Sequence, residues 1–223
     1  MENYGLSSYT VFKSVVFSDG KTDCSPPIVR HETILLCYDC RKPFWKEDAI
    51  DRDSMQHAAE LPASLDIYDL PFATEENFSD KLIDYYFELL NTDFCTSAKK
   101  EIYLRIQIWH LLNNKIRYRS ENATNNFIKG IFNKKSNDAS EKAFNEFLEK
   151  KQSFNDNLVN LIKVYTAETE AEFILLAEMF RELGEFDKAI ELLKKIDVAE
   201  NKYSYSAILK ASKKQKTLVF KIN

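Results

Sequence analysis

Two cysteines three residues apart, Cys37 and Cys40, are the residues whose type and spacing point most directly to chemistry. A Cys-x-x-Cys pair on a strand-turn knuckle supplies half of a tetrahedral zinc site, with each thiolate about 2.3 Å from the metal. A structural site takes four ligands, and no second Cys-x-x-Cys follows. Cys24 and His31 are the nearby residues able to complete the shell, giving Cys24-x6-His31-x5-Cys37-x2-Cys40. The other reading is a metal-free packed turn, with the cysteines acting as small hydrophobes under an aromatic lid formed by Phe44 and Trp45. Redox chemistry is the weakest of the three. A reactive Cys-x-x-Cys belongs at a helix N-terminus inside a βαβ pattern, and Arg41-Lys42-Pro43-Phe44-Trp45 does not open an evident helix.

The remaining ionisable residues read more plainly. Glu47, Asp48, Asp51 and Asp53 could hold a hard cation, but acidic residues at this density also mark a solvated helix start. His57 and His110 have no partner nearby in sequence, and Cys95 reads as a buried thiol. The clusters at 129–135 (KGIFNKK) and 210–216 (KASKKQK) could touch phosphates. The net charge of −4, from 31 basic and 35 acidic side chains, favours solvated lysines and makes nucleic acid an unfavoured partner. Only Gly5, Gly20, Gly130 and Gly184 occur, too far apart for a Walker loop or a dinucleotide fingerprint. No catalytic signature stands out, so the expectation is a protein that is not an enzyme.

Around these residues the pattern is β-rich first and helical afterwards. Residues 9–17 (YTVFKSVVF) favour a strand, and Ser18-Asp19-Gly20-Lys21 supplies an Asp-Gly turn into 22–24, with Pro26-Pro27 as a stop. A strand at 33–36 leads into the knuckle. Residues 51–73, broken by Pro62 and Pro71, read as a linker. Phe78, Leu82, Tyr86 and Leu89 mark one helical stripe, and Ile102, Ile106, Trp109, Leu112 and Ile116 mark another. Residues 119–136 read as a long connection or irregular helix. Phe144 to Tyr165 reads as a helix broken near Asn155-Asp156-Asn157. The run at 217–222 predicts a closing strand that returns to the N-terminal hairpin.

Residues 173–196 form one helix–turn–helix repeat. Phe173, Leu176, Ala177 and Phe180 follow an i, i+3, i+4, i+7 stripe, Gly184 sits at a helix end, and Phe186, Ala189, Leu193 and Ile196 carry the second helix. The pattern resembles a tetratricopeptide repeat. Together, Ser18-Asp19-Gly20, Pro26-Pro27, Cys37-x-x-Cys40, Phe44-Trp45 and Asp48-Ala49 resemble the N-terminal module of poorly characterised bacterial proteins that place a CxxC-FW zinc-knuckle-like module before tetratricopeptide-like helices. That resemblance covers residues 17–50 and 170–200 and implies no known reaction.

The expectation is therefore a mainly α chain, with a small N-terminal β-rich knuckle and tetratricopeptide-like helical hairpins in an α-solenoid-like stack. Its divisions are 1–50 for the knuckle, 51–73 for the linker and 74–223 for the helical domain. The expected role is a protein-interaction adaptor with a protein or peptide partner. The alternative is a nucleic-acid-binding protein using the knuckle and the lysine clusters, and an enzyme with a cryptic site comes third. Zinc is the one cofactor in view. No apolar run approaches the roughly 20 residues of a membrane span and no basic-then-apolar leader opens the sequence, so the expected location is the cytoplasm.

Overall fold

The computed structural model describes residues 13–25, 33–37, 39–48, 64–66, 78–130, 137–197 and 200–222, with the backbone alone at 13, 24–25, 64–66, 116, 118–130 and 137–148. It is mainly helical, with a small β region near the N-terminus. The chain forms two compact units. One joins Met1–Pro27 to Cys95–Asn223, and the other is Ile28–Phe94. The first 50 residues, expected as one module, are thus divided between the two.

In the larger unit, strands β1 (Lys13–Phe17) and β2 (Thr22–Ser25) form an antiparallel hairpin. The β-branched Val15 and Val16 suit a strand. The chain reverses where Phe17 N donates to the Lys21 carbonyl and Gly20 N to the Phe17 carbonyl. Gly20 takes φ +78°, as the last residue of such a three-residue loop must. The closing strand β6 is two residues long, Lys221–Ile222, and pairs antiparallel with β1 through Val16↔Ile222 and Phe17↔Lys221.

The helices of this unit are α2 (Ala98–Gly130), α3 (Asn137–Val164), α4 (Glu170–Glu182), α5 (Phe186–Lys194) and α6 (Lys202–Lys213). The α2 backbone stays helical past residue 119 to Gly130, the helical alternative of the sequence reading, whereas α3 differs from that reading by running unbroken through Asn155-Asp156-Asn157. Asparagine weakens helices by bonding its own backbone, but Asn157 is buried and donates instead to the Arg105 carbonyl of α2 at 2.9 Å. On α2 the buried row is Leu104, Ile108 and Leu112 with Trp109, whereas Ile102 and Ile106 are half-buried.

Helix α4 starts at a capping box, in which Thr169 Oγ1 accepts from Glu172 N and Glu172 Oε2 accepts from Thr169 N at 2.8 Å. It ends in a Schellman motif. Glu185 N donates to the Phe180 carbonyl at 2.9 Å and Gly184 N to the Arg181 carbonyl at 3.0 Å, with Gly184 at φ +82°. The helix pair α4–α5 encloses Ala177, Ala189 and Leu193 with Ile174 and, from α6, Ile208. Phe180 and Ile196 pack on that cluster, while Phe173, Leu176 and Phe186 are half-buried.

The smaller unit holds a three-stranded antiparallel sheet in the order β4-β3-β5, from β3 (Ile34–Cys37), β4 (Pro43–Trp45) and β5 (Ser64–Asp66). It also holds α1 (Phe78–Leu90), which buries Leu82, Ile83, Tyr86 and Leu89. Alternation on β3 buries Ile34 and Leu36, and Ile34 sits opposite Trp45.

Candidate functional site: a lysine-rimmed groove and the ion network that holds its wall

Charged side chains that the sequence reading does not single out are buried in the larger unit. Asp19, Asn113, Glu178 and Arg181 are fully enclosed, and Arg117 and Glu182 nearly so. Asp19 lies in the β1–β2 turn. Arg117 Nη2 pairs with its Oδ2 and Asn113 Nδ2 donates to the same oxygen at 3.0 Å. His110 Nε2 lies 3.0 Å from the Asp19 carbonyl, so the neutral ring carries its proton on Nε2 and donates it there. Burial lowers the His110 pKa, against an opposing pull from Asp19.

The second half of the network belongs to α4. Arg181 makes a two-pronged pair with Glu178, Nε to Oε2 at 2.6 Å and Nη2 to Oε1 at 2.5 Å. Glu182 accepts from Trp109 Nε1 at 2.8 Å and from Asn113 Nδ2 at 3.2 Å on each oxygen. Asn113 therefore bridges Asp19 and Glu182, and its own Oδ1 is buried without a hydrogen-bond partner among the described residues. Burial, then the charge of Glu178, raises the Glu182 pKa well above the carboxyl range, with Arg181 opposing. Arg181 Nη2 also lies 3.7 Å from Glu182 Oε1, so the network sets three buried carboxyl groups against two guanidinium groups, and the raised Glu182 pKa reflects that surplus of negative charge in a dry interior.

This network also fixes the chain beyond α6. That helix ends in a second Schellman motif, with Lys216 N donating to the Ala211 carbonyl at 3.1 Å and Gln215 N to the Ser212 carbonyl at 2.9 Å. Gln215 occupies the left-handed position at φ +51°. Arg181 then donates to the Lys216 carbonyl through Nη1 and to the Leu218 carbonyl through Nη2 at 3.1 Å. Its guanidinium lies 5.1 Å from the centre of the Phe220 ring. Ser18 completes the attachment, its N donating to the Phe220 carbonyl at 2.9 Å and its Oγ accepting from Phe220 N at 3.1 Å.

Between α6 and this tethered tail runs a groove of about 920 Å³, with Tyr203, Ala207, Leu218, Val219 and Phe220 among its apolar lining. Tyr203 is 79% exposed and Leu218 48%. From residue 202 to 223 the chain has six lysines and no acidic residue, although the whole chain carries −4. All six lysines (202, 210, 213, 214, 216 and 221) are exposed, and Lys210, Lys214 and Lys216 line the groove itself.

The knuckle lies in the smaller unit. Cys37 ends β3 and is half-buried, and Cys40 is exposed in the turn. The turn closes through Arg41 N donating to the Cys37 carbonyl and Cys37 N to the Lys42 carbonyl, both at 2.9 Å, with Arg41 at φ +57°. Backbone N–H groups of Cys40 and Asp39, and the Cys40 thiol, bond to the Cys37 sulfur and hold its pKa below the usual thiol value. Trp45 anchors the hairpin, with Nε1 donating to the Phe94 carbonyl at 2.9 Å and its ring stacked on Phe94 at 5.0 Å. Of the two other expected ligands, Cys24 lies on β2 in the larger unit and His31 lies outside the described residues. Among the described residues no three His, Cys, Asp or Glu side chains gather as a metal set.

Compared with models of protein families, with curated proteins and with solved structures, the chain matches none. Among the described residues no helix is long and apolar enough to cross a membrane. The contacts that join Asp19 and Glu182 to α2 span 69 to 98 residues of sequence, which is why sequence reasoning misses them. One signal was present: Trp109, Asn113 and Arg117 repeat every four residues on one face of α2, and Glu178 and Glu182 share that spacing on α4.

Proposed function

We propose that this protein is an adaptor whose groove between α6 and the C-terminal tail receives a short acidic peptide of another protein. The observation that carries this reading is the pairing of an apolar groove of about 920 Å³ with six exposed lysines and no nearby acidic residue in sequence. Aromatic and aliphatic anchors give affinity once desolvated, and complementary charge at the rim steers encounter and selects the partner. Tyr203 and Leu218 are the anchors, and Lys210, Lys214 and Lys216 are the rim. The ion network around Arg181 keeps the tail in place before binding, so little ordering cost falls on the complex. The α4–α5 pair, with its buried Ala177 and Ala189, acts as a tetratricopeptide-like unit on which α6 packs. The protein acts by binding and not by turnover, in the cytoplasm, where its thiols stay reduced.

Selection from a random peptide library displayed on phage tests this reading. Enriched peptides should combine Asp or Glu with one or two large apolar residues, and should lose binding to Leu218→Glu and to Lys214→Glu. Enrichment without acidic residues, or binding indifferent to both substitutions, contradicts it. Preferential capture of single-stranded RNA or DNA through the same lysines would favour the nucleic-acid reading instead, with a steep fall in affinity as salt rises.

A further inference from the structure

The chain itself carries a segment whose chemistry matches the groove. From residue 53 to 80 there are seven acidic residues and no lysine or arginine, the reverse of residues 202–223, which hold six lysines and no acidic residue. The same stretch holds large apolar side chains. Residues 66–76 read DIYDLPFATEE, with four acidic residues set around Ile67, Tyr68, Leu70 and Phe72. The groove asks for that composition, since Tyr203 and Leu218 offer apolar contact while Lys210, Lys214 and Lys216 line the same space. We propose, on the strength of the groove's reading as an acidic-peptide site, that the groove of one molecule takes residues 66–76 of a second copy of this chain.

The segment starts where β5 ends at Asp66, and α1 begins at Phe78, so eleven residues, 67–77, connect the two elements. Connections in compact domains commonly run to about 4–6 residues, and longer ones often carry binding. Residues 67–77 lie outside the described residues, and their sequence alone carries the match. A chain with both a lysine groove and an acidic, apolar segment is self-complementary. Two copies related by a two-fold axis fill two grooves in one association, each segment entering the other molecule's groove. The second contact then forms at the high effective concentration set by the first. Complementary charge selects this pairing over like-charged surfaces and makes it sensitive to salt. An acidic peptide of an unrelated protein competes for the same lysines.

Sedimentation velocity of the full-length chain across a concentration series tests this. Wild type should form dimers, less so as salt rises. Lys214→Glu with Leu218→Glu damages the groove and leaves the segment, whereas Asp69→Lys with Glu75→Lys damages the segment and leaves the groove. Alone, each double variant sets like charges against each other and should self-associate about tenfold or more weakly than wild type. Mixed, the two should pair again, because the intact segment of the first enters the intact groove of the second. Circular dichroism confirms beforehand that each variant is folded. A wild type that stays monomeric overturns the proposal, as do variants that associate like wild type or a mixture that associates no better than its parts. A synthetic peptide of residues 66–76, titrated into wild type and the groove variant, separates this outcome from the reading of the groove itself. Binding to wild type that the groove variant loses supports both. If library-selected acidic peptides bind and 66–76 does not, the second copy is the wrong partner and the groove reading stands; if no acidic peptide binds, both fall.

Discussion

Replacing Arg181 by Met tests whether the buried network holds the groove. Arg181 is fully enclosed, and one guanidinium serves Glu178 in two-pronged fashion and the carbonyls of Lys216 and Leu218. Met keeps the length and apolar stem but removes every donor. The buried Glu178 carboxylate is then left uncompensated, a change that costs about 3–5 kcal/mol when one partner of such a pair is removed. The two freed carbonyls add less, because they are neutral groups whose lost bond costs less than an unpaired charge. For a unit of this size each kcal/mol moves the melting temperature by about 2–4 °C, so the expected loss is about 6–20 °C. The double variant Arg181→Met with Glu178→Leu removes both charges and should recover most of that loss. Thermal denaturation followed by circular dichroism reads the first effect. Hydrogen exchange reads the second: amides of 216–220 should exchange faster in both variants, since both lack the tether. A loss under about 1 kcal/mol in the single variant, or no recovery in the double, refutes the reasoning.

Three further outcomes follow from the same geometry. Glu182 has a folded-state pKa raised above its unfolded value of about 4.3, so the folded state binds more protons in the window between the two. Its contribution is therefore complete below about pH 4.3 and is lost as pH rises through the raised value; melting curves of Glu182→Gln should gain on wild type from acid toward alkaline pH, and parallel curves would count against a raised Glu182 pKa. Gly184→Ala should destabilise by about 1 kcal/mol through its φ of +82° alone, because an added Cβ meets only Thr217 Cγ2 at 3.9 Å. Gln215→Gly should stabilise by a similar amount, since glycine suits the left-handed end of α6 where glutamine now stands; chemical denaturation measures both, and equal signs would refute the shared cause.

The features legible in the sequence are those set by neighbours along the chain. The Asp-Gly turn at 18–20, the strand leading into the knuckle and the glycine end of α4 each depend on residues within about five positions. The return of the last strand to β1 was also readable, because 217–222 has β-forming residues and no other strand follows the helices. Features set across the fold were not readable. Asp19 looks like an exposed turn residue until α2 brings Asn113 and Arg117 to it. Glu178, Arg181 and Glu182 occupy what a single-stripe reading of α4 leaves as its solvent face. That face is covered because the helix is buried on two sides, by Ile174 and Ala177 on one and by the network on the other. The groove depends on the second Schellman motif, which glutamine at the left-handed position disguised.

The most direct measurement is a hydrogen-exchange footprint of the protein with an acidic peptide taken from the display selection, recorded at low and at high salt. The account predicts protection confined to α6 and residues 214–220, reduced as salt screens the lysine rim. Protection centred on α2–α3 or on the unit Ile28–Phe94, or a footprint on the groove that salt leaves unchanged, would contradict it.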